Sequence, residues 1–269
     1  MSLSSSDQPL VAELPSPLPK VALVTGAAKR VGKAIALELA HAGYAIGVHY
    51  GHSQQEADAT VAEIRALGVA AFALHADLAD EGQTRALLSA CFEMLGPVSV
   101  LVNNAALFEY DCIGDIDYAS LLRHLLPNLA APLVLTQALA ETLAEGQKAV
   151  VINLLDQKLY NYNPDFLSYT LTKAGLQSAT TMLAQALAPR IRVVGVAPGI
   201  SLPSADQTEQ EFQVAHQQTP LGCSSTPQDI ARTVRFVAES PAITGTTILV
   251  DGGQHLQALS RDVMLMNRG

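Results

Sequence analysis

Short apolar runs alternate along this chain with longer stretches whose apolar residues recur every three to four positions. The runs at 20–25, 45–50, 70–75, 98–102, 149–155, 192–196 and 246–250 are rich in Val, Ile, Leu and Ala. They lack the alternation of a half-exposed strand and so suit strands buried on both faces of a parallel sheet. Between them, helical periodicity marks 31–42, 55–67, 81–95, 118–144, 164–188, 209–216 and 227–239. Gly43, Gly68 and Gly96 close three of these segments, where a helix end needs a residue tolerant of left-handed backbone. Strand and helix taking turns predict an α/β fold with a doubly wound parallel sheet of about seven strands and helices on both faces.

The pattern starts at residue 20 and shows no repeat, so 20–269 is read as one domain, preceded by a Ser- and Pro-rich disordered leader over 1–19. The segment 199–226 breaks the rhythm: weak periodicity between a strand and a helix over that length predicts a lid over a ligand. A net charge of −9 argues against nucleic acid or an anionic membrane as partner. No apolar run reaches the roughly 20 residues a membrane span requires. The three cysteines, Cys91, Cys112 and Cys223, share no short metal-type spacing. The expectation is a reduced, cytoplasmic protein without a metal.

Candidate chemistry lies at the ends of the predicted strands. Thr25-Gly26 and Gly32 bracket the turn between the first strand and helix, where a backbone cradle brings phosphate to a helix N-terminus. Lys29, Arg30 and Val31 lie in that turn, and a bound anion would relieve the penalty of placing two cations there. The second strand runs out in His49-Tyr50-Gly51-His52-Ser53 with no carboxylate before Glu56. An acid there would hold a ribose 2′-hydroxyl but repel a 2′-phosphate, so NADP(H) is favoured over NAD(H). Asp77-Leu78 is read either as a cap on the adenine or, for Asp77, as a helix N-cap. Asn103-Asn104-Ala105-Ala106 suits close approach of a flat ligand and equally suits a turn.

Tyr169 and Lys173, four residues apart on a predicted helix, face one way, and the ammonium is expected to lower the phenol pKa. With Asp156 thirteen positions upstream they suggest proton delivery beside a hydride donor. These motifs resemble the short-chain dehydrogenase/reductase family over residues 21–253, in family order: Thr25-Gly26 to Gly32, Asp77-Leu78, Asn103-Asn104-Ala105, Asn128, Tyr169-x-x-x-Lys173, Pro198-Gly199 and Asp251-Gly252-Gly253. The resemblance implies a single-domain Rossmann-type fold, Tyr169 as proton donor, Lys173 as its partner and nicotinamide-ribose ligand, and Asn128 as holder of a relay water. A satisfied polar group within a helix is the other reading of Asn128.

Two departures stand out: Arg30 occupies the position of the family's middle glycine and Asp156 that of its catalytic serine. An ionised carboxylate would repel the oxyanion that develops on a ketone, whereas a nitrogen heterocycle offers N–H donors. Asp156 turned out to solvent is the remaining possibility. Both departures, with His49-Tyr50-x-x-Ser53, are similar to the pteridine and dihydromonapterin reductases of that family. That likeness implies a pterin or dihydropterin substrate held by Arg30, Phe108, Asp156, Tyr169 and Ser201, with Ser201 also touching the cofactor. Phe108 is alternatively a core residue. A carbonyl reductase and a non-catalytic NADP-binding sensor are the competing functions. The family also implies a homotetramer through 118–144 and 164–188, and the tail 255–269 is read as covering a neighbouring subunit.

Overall fold

The computed structural model describes residues 18–203 and 208–266; residues 1–17 of the expected leader and 204–207 of the expected lid fall outside. Seven strands form one sheet: β1 (Val21–Val24), β2 (Ala45–Tyr50), β3 (Ala71–His75), β4 (Val100–Asn103), β5 (Ala149–Leu154), β6 (Ile191–Pro198) and β7 (Thr247–Val250). Their order is β3-β2-β1-β4-β5-β6-β7 and every pairing is parallel. Burial explains the unbroken apolar runs: all six side chains of β5 are buried. Winding reverses between β1 and β4, opening a crevice at the carboxyl ends of the strands, the usual ligand position in such sheets.

Helices cover both faces. On one, Ile35 and Leu39 of α1 (Arg30–His41), Ile64 of α2 (Gln54–Ala66) and Val234 of α8 (Pro227–Glu239) pack on β1, β2 and β4. On the other, Leu87 and Leu88 of α3 (Glu81–Leu95) and Leu135 and Leu139 of α5 (Ala131–Thr142) close a second core. Each fully buried Leu or Ile contributes about 1.5–3 kcal/mol of transfer free energy. At the opposite edge of the sheet, Lys20 donates to Ala42 O, Arg190 to Leu143 O and Arg192 to Val237 O. Three of the chain's few cations are thus committed to carbonyls at or near helix C-termini.

Two predicted helices come out differently. The stretch 118–144 is α4 (Tyr118–Leu125), a π-helical turn at Leu126–Ala130 and then α5. Pro127 and Pro132 remove amide donors from this stretch, so the regular ladder cannot run through it. The helix predicted from 164 starts later, as α6 (Leu167–Leu187), because Phe166 has left-handed backbone with φ 55°. It is capped from a distant loop: Ser168 N–H donates to the Asp111 carboxylate at 3.0 Å. Among the described residues, no helix is long and apolar enough to cross a membrane. The lid segment contains α7 (Glu209–Gln217), and the chain closes with α9 (Val263–Met266).

Candidate active site

The first half of the crevice is a turn braced by neutral polar side chains, with Lys29 and Arg30 as its charged members. Thr25 Oγ1 accepts the N–H groups of Asn104 and Ala105 at 2.9 and 3.0 Å, and Asn104 Nδ2 donates to Thr25 O at 2.8 Å. Gly26, at φ +63°, donates its N–H to His49 Nδ1 at 2.9 Å. His49 Nε2 then donates to Ala76 O at 3.1 Å, which fixes one tautomer. A Cβ on Gly32 would overlap the Gly26 carbonyl and come within 2.6 Å of Asn104 Nδ2, so only glycine lets helix and turn approach this closely. Arg30 holds φ 56°, a conformation that costs a non-glycine residue about 1–3 kcal/mol. Its guanidinium donates across the crevice to Pro203 O at 2.8 Å.

His49 requires a correction. Its ring is buried and both nitrogens are bound to backbone, so it braces the glycine turn from beneath and has no donor for a ribose phosphate. Burial lowers its pKa to about 4. Tyr50 tilts its ring against His75 at 5.4 Å, and Ser53 is the residue preceding α2. Gly51 and His52 instead face a cavity of about 540 Å³ that Gly26, Asp77, Leu78 and Ala105 also line. Of the two readings of Asp77, the helix cap belongs to Asp80, which accepts Gln83 N–H at 2.9 Å; Asp77 binds Ala79 N–H and stays exposed at the cavity mouth.

A second cavity of about 320 Å³ lies across the turn. Arg30, Val31, Asn104 and Ala106 form its cofactor-facing rim, Pro198, Gly199 and Ser201 enter from the end of β6, and Phe108, Asp156, Tyr169 and Lys173 line the remainder. Gly199 has no room for a Cβ, which would meet Gln254 Oε1 at 2.8 Å and Asp251 Cα at 2.9 Å. Asp156 follows the end of β5 and faces into the cleft. One carboxylate oxygen accepts Lys158 N–H at 2.8 Å and the other accepts the Tyr169 hydroxyl at 2.9 Å. Enclosure by protein raises the Asp156 pKa despite those two donors.

The expected direction for Tyr169 is overturned. Burial, and then the negative charge of Asp156, push its phenol well above the ordinary range. The ammonium of Lys173 is 5.8 Å from the ring centroid, whereas the carboxylate is hydrogen-bonded to the phenol itself. Tyr169 therefore stays a donor. Lys173 donates to Leu154 O at 2.7 Å, and burial, opposed in part by Asp156, lowers its pKa to about 8. Asn128 is fully buried in the π-helical turn, and its side chain is spent on Leu107: Oδ1 accepts Leu107 N–H at 2.7 Å and Nδ2 donates to Leu107 O at 2.9 Å. The side chain also donates to Thr172 Oγ1 at 3.2 Å, so it is the satisfied polar group of the second reading and clamps the loop that carries Phe108. Phe108, 40% exposed and so no core residue, stacks on Phe166 at 4.3 Å and meets Tyr169 edge-on at 4.7 Å.

Sequence reasoning missed the far wall. Lys158, Gln254, Asp262 and Val263 also line the cleft, so the described part of the tail helps to close its own chain's site. Arg261 Nε reaches both oxygens of buried Asp165 at 2.8 and 3.0 Å, and Asp262 N–H donates to the same carboxylate at 2.7 Å. Lys158, two residues past Asp156, had a spacing that a turn reading could have flagged; nothing local marks Asp262.

Glycine cradle, nucleotide-sized cavity and Tyr–Lys–Asp cluster occupy one crevice, and a profile of short chain dehydrogenases matches residues 20–213. The chain belongs to the short-chain dehydrogenase family, a class of oxidoreductases. It is similar to FolM alternative dihydrofolate reductase 1 from Brucella canis, solved in complex with NADP: 41% identity, a TM-score of 0.86, 90% of this chain and 96% of that one covered. An uncharacterized oxidoreductase of Methylorubrum extorquens is 38% identical, covering 87% of this chain and 97% of its own. The 3-oxoacyl-[acyl-carrier-protein] reductase FabG of Staphylococcus aureus is 34% identical over 88% and 98%.

Proposed function

We propose that this protein is an NADPH-dependent reductase acting on a C=N bond of a pterin or dihydropterin. The observation that carries the reading is the 2.9 Å hydrogen bond between Tyr169 and Asp156 inside the cleft, with Asp156 directed at the reacting space and not at bulk water. Likeness to the Brucella reductase crystallised with NADP supports both cofactor and substrate class.

The residues present fit a dinucleotide. Gly26 and Gly32 leave a backbone cradle at the start of α1, the larger cavity would take the adenosine end beside Asp77 and Leu78, and His52, on its wall, would take the 2′-phosphate. NADPH, when bound, supplies the hydride. Lys173, beneath Tyr169, would hold the nicotinamide ribose, and Pro198, Gly199 and Ser201 would bound the nicotinamide. Phe108 offers the face on which a flat ring stacks, braced from behind by Phe166. As the ring carbon accepts hydride, the adjacent nitrogen would take a proton from the carboxyl of Asp156, the form that enclosure by protein favours. Tyr169, whose phenol stays protonated, holds that carboxyl through its hydrogen bond, and solvent entering the cleft restores the proton.

NADPH oxidation followed at 340 nm (about the reduced nicotinamide maximum) with biopterin, dihydrobiopterin, dihydromonapterin and dihydrofolate, against a panel of ketones, tests the reading. Pterins are expected to turn over, and Asp156→Ser to lose roughly 100-fold or more of that turnover with NADPH affinity nearly intact. A ketone preference, or full pterin activity in Asp156→Ser, would return the enzyme to the carbonyl-reducing reading that the FabG likeness favours.

A further inference from the structure

Asp156 shares its surroundings with a second carboxylate from the far end of the chain. Asp262 lines the same cleft, 106 residues away in sequence, and is held there by two independent contacts. Its backbone N–H is bound by Asp165, and its Oδ2 accepts from Lys158 Nζ at 3.0 Å. Lys158 is itself buried, with only 4% of its side chain exposed; the same ammonium donates to Asp165 O at 2.6 Å and stands 5.2 Å from the centroid of the Phe166 ring. Its backbone N–H is bound to Asp156. One lysine therefore bridges the two acids, by its main chain to Asp156 and by its side chain to Asp262. Lys158 comes from the turn Gln157–Tyr160, Tyr169 and Lys173 from α6, Arg30 from the glycine turn and Asp262 from the tail. Among the described residues, those are the titratable and charged groups that line the cleft with Asp156.

We propose that Asp262 is a positioning residue for the reductive step: its carboxylate, paired with Lys158, sets the proton occupancy of Asp156, so that the tail tunes proton delivery in its own cleft. The inference rests on the pterin-reductase reading. In protein surroundings a like charge makes ionisation of Asp156 harder and a cation makes it easier. Asp262 acts in the first sense and Lys158 in the second. Neutralising Asp262 removes the repulsion and releases the Lys158 ammonium from its partner, and both changes favour ionised Asp156. The protonated donor is then lost at lower pH.

The test uses the full chain with NADPH and a dihydropterin. In Asp262→Asn, or Asp262→Ser if the first does not fold, the limb of kcat that falls with rising pH moves roughly half to one unit toward acid. The carboxyl ¹³C signal of Asp156 in the NADP⁺ complex, assigned through Asp156→Asn, shifts its midpoint by the same amount. Asp262→Glu restores the limb. Val263→Ala trims the same wall without altering any charge, so it raises KM a few-fold and leaves the limb in place. An unmoved limb and midpoint in Asp262→Asn, with KM altered as in Val263→Ala, would reduce Asp262 to a piece of wall and overturn the proposal. If the midpoint moves although no pterin is reduced, the tuning of Asp156 stands and the substrate reading alone fails.

Discussion

The two sides of the crevice are built on opposite electrostatic plans. Around the glycine turn, the polar groups that shape the cradle are neutral and matched to backbone: Thr25, Asn104 and His49 make their hydrogen bonds to main-chain groups of Gly26, Ala76, Val102 and Ala105 or to one another. Across the cleft, Asp156, Lys158, Asp165, Lys173 and Asp262 crowd ionisable groups into largely enclosed space. The first arrangement makes a rigid receptor for an anion. The second leaves groups whose charge shifts easily, which proton transfer requires and which costs stability.

Substitutions can break that contrast in order of size. Tyr169→Phe removes the donor to Asp156 while leaving the cradle untouched; kcat is expected to fall about 100- to 10,000-fold, with NADPH affinity by fluorescence titration changed only a few-fold. An equal loss of NADPH binding would mean that the two sides are not separable. On the neutral side the sensitive element is His49. Its folded pKa of about 4 lies below the ordinary 6.5 because burial disfavours the charged ring. Its contribution is therefore complete above about pH 6.5 and is lost as pH falls toward 4, a change of about 3 kcal/mol at most. Urea unfolding between pH 4 and 7 should show this slope, and His49→Gln should flatten it. The smallest effect expected is that of Gly32→Ala, whose methyl group must displace Gly26 or Asn104. An NADPH affinity loss of about 10- to 100-fold, corresponding to the 1–3 kcal/mol of an overpacked site, is expected with the pH dependence of kcat unchanged. A shifted pH profile in that variant would tie the cradle to the proton-transfer groups.

The strands were legible to within one or two residues because burial on both faces writes each as an unbroken apolar run. Gly26, Gly32, Asp156, Tyr169 and Lys173 were legible because each belongs to a short segment whose spacing serves one local geometry. His49 was misassigned for a physical reason: a histidine at a strand end faces the ligand or the turn beneath it, and no local residue decides which. The direction of the Tyr169 pKa went astray, since a phenol bound to a carboxylate depends on a group that only folding brings beside it.

Sequence alone determined the parallel sheet, the glycine turn and the acid, phenol and ammonium across the crevice from it, since these follow from periodicity and from steric and hydrogen-bonding demands within a few residues. Only the tertiary structure decided the direction of the Tyr169 pKa, the bracing of Gly26 by His49, and the arrival of Asp262 beside Asp156. Each of these depends on distances in a low-dielectric cleft between segments that the chain brings together only on folding.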